Sequence, residues 1–144
     1  MVDARRRDVD ALVANVLEAA GALRRHGDEQ ASRLGQTQAR WQVLSVLSGE
    51  PLTVPAAARR LGVSRQAVQR IVDVLRREAL VHARANPAHA GSPLLSLTPV
   101  GEEVLGALTE ENAPWNRRAE TELDGDDVAT ANRVLRRLIT LSRG

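Results

Sequence analysis

Ser64, Arg65, Gln66, Gln69 and Arg70 place a hydroxyl, two guanidinium forks and two carboxamides within seven positions. At about 100° per residue, Val68, Ile71, Val72 and Leu75 fall in one narrow arc, and Gln66, Gln69, Arg70, Asp73 and Arg77 lie on the far side. Such a set can read bases. An arginine fork matches guanine O6 and N7, and a glutamine amide matches adenine N6 and N7. Ser64 caps the helix first, and its hydroxyl can also donate to phosphate.

A reading helix needs a scaffold, and the flanking residues describe one. Thr53 is an N-cap, Pro55 falls in the first turn where its missing N–H costs nothing, and Gly62 stops the helix. After the Ser64-led helix, Leu80 to Arg84 and Leu94 to Leu97 read as short strands around Asn86-Pro87 and Gly91-Ser92-Pro93. The expectation is a helix–turn–helix followed by a hairpin wing, one polar face turned to the major groove.

Charge follows the same division. All 20 cationic residues are arginine, so the sequence pI of 10.7 accompanies a net charge of only +2. Residues 59–84 hold seven arginines against two acids, net +5, whereas residues 1–58 are neutral and residues 85–144 carry −3. The positive charge sits where phosphates would lie. A merely solvated polar face is the plain alternative, and the clustering argues against it. For Arg59, Arg76, Arg77 and Arg84 the sequence leaves open a solvated surface, a pairing with Asp73 or Glu78, or a DNA contact.

The 144 residues, 43% hydrophobic, suffice for one domain with a real core. Two Trp and no Phe or Tyr mean that Leu, Val, Ile and Ala must fill it. With no cysteine, disulfides, thiolate metal sites and thiol redox sensing are excluded. Arg5-Arg6-Arg7 precedes an apolar run, but Asn15 and Glu18 interrupt it and no cleavage site follows. No segment approaches the ~18 apolar residues of a membrane span. A cytoplasmic protein is expected.

Val9, Leu12, Val13, Val16, Leu17, Ala20 and Leu23 mark a first amphipathic helix from about Asp3 to Arg25, ended by His26-Gly27-Asp28. Thr37 caps a second, carrying Trp41, Leu44, Val46 and Leu47 to Gly49. Thr98 caps a fifth helix that could continue to Ala119, with a kink at Pro114. Leu123-Asp124-Gly125 breaks the chain before a last helix bearing Val128, Val134, Leu135, Leu138, Ile139 and Leu141. The terminal helices flank the winged module rather than complete it, so a C2 homodimer is expected to cover their apolar stripes.

Several runs together carry a family likeness. They are Gln36-Thr37-Gln38-Ala39-Arg40-Trp41-Gln42-Val43-Leu44, Leu52-Thr53, Ala58-Arg59-Arg60-Leu61-Gly62 and Val63-Ser64-Arg65-Gln66-Ala67-Val68. To these add Ile71-Val72-Asp73-Val74-Leu75, Leu80-Val81 and Leu95-Ser96-Leu97-Thr98-Pro99-Val100-Gly101. In this combination the chain resembles the MarR family of bacterial transcription regulators. The resemblance implies a mainly α (α+β) winged helix–turn–helix, one domain over residues 1–144. Residues 36–105 would bind DNA, and helices within 1–35 and 106–144 would intertwine in a dimer. It further implies a pseudo-palindromic double-stranded DNA site and release by a small aromatic effector. At the wing, where family members carry an acid and arginines, this chain has Asn86, His89, Ala90 and Gly91. Arg84 and His89 remain as candidate wing contacts.

The expected function is sequence-specific regulation of transcription, most simply repression, through Ser64, Arg65, Gln66, Gln69, Arg70, Arg84 and His89. The alternative is a winged-helix protein-interaction module without DNA binding. Trp41 is expected chiefly to pack, with effector contact as its second role. His26, His82 and His89 are scattered, so no metal site and no cofactor are expected. Glu110-Glu111 and Asp126-Asp127 read as solvated helix ends. No nucleophile–base set or phosphate-cradling loop appears, so an enzyme is not expected.

Overall fold

A computed structural model describes residues 1–144, the side chain of residue 2 excepted. Its elements are α1 (Val2–Ser32), α2 (Gln38–Gly49), α3 (Val54–Leu61), α4 (Arg65–Arg77), β1 (Val81–Arg84), β2 (Leu94–Leu97), α5 (Pro99–Glu122) and α6 (Gly125–Arg143). The mainly α winged helix–turn–helix expected from the sequence is the observed fold. Residues 1–111 and 112–144 form two compact units, with α5 crossing the division.

The core lies in the first unit. Val43, Leu44 and Leu47 of α2 meet Ala57 and Ala58 of α3, Val68, Val72 and Leu75 of α4, and Leu95 of β2. Small alanines on α3 suit a close approach of one helix to the next. The helices α2, α3 and α4 open as their sequences suggest. Thr37 Oγ1 accepts from Arg40 N–H at 3.1 Å, Thr53 Oγ1 from Ala56 N–H at 3.3 Å and Ser64 Oγ from Ala67 N–H at 3.0 Å.

Three helices share one way of ending. The amides of Gln36, Val63 and Leu80 each reach back five residues, to the carbonyls of Ala31, Ala58 and Leu75, at 2.9, 3.2 and 2.9 Å. This closure requires a left-handed residue just before each donor. Gly35 and Gly62 supply it with φ of 68°. Ala79 supplies it at φ 58°, where its Cβ is crowded.

The first helix corrects the sequence reading. It does not stop at His26-Gly27-Asp28 but continues to Ser32. Gly27 is buried, and a Cβ there would fall 1.8 Å from Oε1 of Gln38. The glycine therefore serves close packing of α1 on the start of α2, while Gly35 is the terminator. Downstream, α5 runs through Pro114 and past Ala119 to Glu122 as one helix. In α6, Asp124 is the cap, accepting from Asp126 and Asp127 N–H at 2.9 and 3.1 Å.

The wing is an antiparallel pair with Val81 opposite Leu97 and Arg84 opposite Leu94. On its other edge Leu52 exchanges backbone bonds with Leu95, at 3.1 and 2.8 Å. A single residue has no periodicity, so the sequence gives no sign of this contribution. Thr98 ties the wing back to α4: its hydroxyl donates to Ala79 O at 2.6 Å and accepts from Gly101 N–H at 3.0 Å. Gly101 is required by contact, because a Cβ would stand 2.1 Å from Leu80 O.

Candidate nucleic-acid interface

The cap at Ser64 sets the direction of α4, and its apolar stripe fixes the rotation. Val68, Val72 and Leu75 are no more than 1% exposed, so the opposite side must face out. Arg65, Gln66, Gln69, Arg70, Asp73 and Arg77 are all exposed. A polar helix face held outward by a sealed apolar one is the arrangement that groove insertion requires.

Between α4 and the wing lies a cleft of about 390 Å3. Arg65, Gln66, Gln69 and Arg76 line it from the helix, Val54 and Pro55 from α3, and Gly91, Ser92 and Pro93 from the wing loop. Of the residues singled out from sequence, Arg65, Gln66 and Gln69 come together here. Ser64 and Arg70 do not line the cleft, although both are exposed. Arg76 is a lining residue that the sequence did not separate from its neighbours. The signal existed: seven positions past Gln69, it returns to within about 20° of the same face.

Two polar contacts discipline this surface. Gln69 Nε2 donates to Asp73 Oδ1 at 2.8 Å across one helical turn. At the end of α4, Glu78 forms an ion pair with Arg40 of α2, which fastens α4 to the core helix beneath it. The Arg40 side chain is 17% exposed, and its Nε has no hydrogen-bond partner. Arg60 pairs with Glu50 at 3.4 Å across exposed surface and contributes little.

The wing loop organises itself. Asn86 Oδ1 accepts from Ala88 N–H at 3.1 Å, and Asn86 Nδ2 donates to Ser92 O at 3.0 Å. Asn86 therefore acts as a clamp across the loop rather than an outward contact. Arg84, at the end of β1, and His89, in the loop, are both exposed but do not line the cleft. His82 and Ser96 face each other across the strands, Nε2 to Oγ at 2.8 Å. Trp41 is half-buried and packs against the core. Among the described residues there is no group of three or more acids or histidines that could hold a metal ion, and no helix is long and apolar enough to cross a membrane.

Fold and surface together define a winged-helix protein of the transcription-regulator class. A family model described as MarR family matches residues 34–90, which spans α2, the helix–turn–helix and the wing. The chain is similar to a MarR family transcription regulator of known structure, with 25% identity, coverage of 97% and 95% of the two chains and a TM-score of 0.72. It is similar also to the transcriptional regulator PA3341, with 25% identity, coverage of 92% and 98% and a TM-score of 0.80. The chain belongs to the MarR family of non-enzymatic transcription regulators. Uncharacterized proteins of Mycobacterium tuberculosis and Mycobacterium bovis are 49% identical to it over 132 residues, 92% of each chain. The fold is shared with a mutant MarR from E. coli complexed with operator DNA, at 22% identity, coverage of 91% and 95% and a TM-score of 0.74.

Proposed function

We propose that the chain represses transcription as a homodimer that sets α4 of each copy into neighbouring major-groove turns of a pseudo-palindromic site. The carrying observation is α4 itself, whose polar side beginning at Ser64 is exposed while its apolar side is sealed. Arg65, Gln66, Gln69 and Arg70 are the base-reading candidates, and Ser64 and Arg76 approach phosphate. Helices within residues 1–35 and 106–144 serve as dimerisation arms around the 36–105 winged region. Val9, Val13 and Leu17 on α1, and Leu135, Ile139 and Leu141 on α6, are exposed apolar side chains that a second copy would cover. Paired recognition helices then stand about 34–36 Å apart, one turn of duplex.

The operator-bound E. coli relative supports double-stranded DNA as the partner. Release by a small aromatic molecule belongs to the same reading, with Trp41 its candidate contact beside Arg40, whose Nε lacks a partner. A cytoplasmic location accords with work on chromosomal DNA. The test is affinity against salt, on a selected site and on random duplex. A steep slope with strong site preference is expected, and Gln66→Ala should lose about 1–3 kcal/mol on the selected site while random duplex is held as before. Equal, shallow binding to both duplexes would overturn the reading.

The wing keeps a second reading in view. Asn86, His89, Ala90 and Gly91 occupy its loop without an arginine, as in a winged module that binds protein instead of DNA. Photo-crosslinking from position 66 separates the two, since the adduct is either nucleic acid or protein.

A further inference from the structure

Gln69 and Asp73 stand one turn apart on the exposed side of α4, and the amide of one donates to the carboxylate of the other at 2.8 Å. Only the nitrogen end of a carboxamide can donate to a carboxylate, so this bond fixes which way the Gln69 amide faces. No packing fixes it otherwise, because the side chain is exposed. Arg70, Arg76 and Arg77 all lie within a turn of Asp73, yet among the described residues none forms an ion pair with it. The carboxylate is engaged by the neutral amide.

We propose that Asp73 is a positioning residue that presents Gln69 to adenine. The amide nitrogen carries two hydrogens, one anti to the carbonyl oxygen and one beside it. Asp73 takes the anti hydrogen. The oxygen and the remaining N–H then point the same way, as the acceptor–donor pair that meets adenine N6 and N7. Gln69 lines the cleft between α4 and the wing, where a base edge would lie. This role rests on the DNA-binding reading above.

The carboxylate has a second consequence that a simple helix-stabilising pair would not have. Its negative charge opposes the approach of any phosphate backbone, whatever the sequence. Asp73 therefore lowers affinity for every duplex and raises discrimination at one base pair. Its removal should move the two quantities in opposite directions.

The experiment uses the full chain. A site is first selected from a randomised duplex pool with the wild-type protein, and affinities are then measured on that site, on its single-base variants and on random duplex. Asp73→Ala should reduce the preference for one adenine about tenfold while random-duplex affinity holds or rises. Asp73→Asn retains an accepting Oδ1 without the charge, so it should keep the preference and still gain affinity on random DNA. In a Gln69→Ala background Asp73→Ala should cost no further discrimination. An Asp73→Ala chain that keeps full adenine preference, an Asp73→Asn chain that loses it, or variants that weaken all duplexes equally overturn the positioning role alone. A wild-type chain that selects no sequence overturns the DNA-binding reading and this role with it.

Discussion

α4 and α6 look alike as sequences and stand differently in the structure. Both are amphipathic, and both are rich in arginine: Arg65, Arg70, Arg76 and Arg77 in one, Arg133, Arg136, Arg137 and Arg143 in the other. In α4 the apolar stripe is sealed against α2, α3 and the wing. In α6 no side chain is buried, and Ile139 and Leu141 remain 50% and 65% exposed. Charge alone would nominate either helix for DNA. Packing separates them: α4 is rigidly mounted with its polar side out, whereas α6 still offers its apolar side. A helix of the second kind gains by covering that side, at about 25 cal/mol for each Å2 removed from water.

The contrast can be broken most directly in the core. Leu75→Ala should cost about 2–5 kcal/mol of unfolding free energy, because a wholly buried leucine leaves a cavity beneath α4. Leu141→Ala, in an exposed position, should change the unfolding of a dilute monomer by under about 0.5 kcal/mol. Denaturant melts of the two variants compare the helices on one scale. Similar losses for both would mean that α6 is mounted as firmly as α4.

A charge on α6 sharpens the other half. Ile139→Glu should weaken self-association by about 2–4 kcal/mol, read by sedimentation across a concentration series, with the helical content of the monomer unchanged. A wild-type chain that sediments as a monomer at every concentration would end the dimer reading. The smallest effect lies at the end of α4. Ala79→Gly relieves the crowded left-handed residue there and should stabilise the winged unit by about 0.5–1 kcal/mol in the same melts. Destabilisation instead would show that Ala79 tolerates its φ without strain.

Much of this was legible beforehand because it is local. Thr37, Thr53 and Ser64 as caps, Gly62 as a stop and strands read at 80–84 and 94–97 each depend on a few neighbouring residues; all are found in place, the first strand starting one residue later at Val81. The misreading at Gly27 has a physical origin. A glycine that ends a helix and a glycine that admits a neighbouring side chain are identical in one dimension. Gly35, eight residues on, held the stop. Arg76 was legible in principle from its angle around α4, but the wing loop that makes it part of a cleft was not.

By itself the sequence determined the succession of helices, the outward chemistry of α4 and the concentration of positive charge there, because periodicity, capping and charge act over a turn or two. Only the tertiary structure decided that Leu52 extends the wing and that Glu78 is held by Arg40. Those partners lie many residues apart, and the folded core alone brings them within bonding distance.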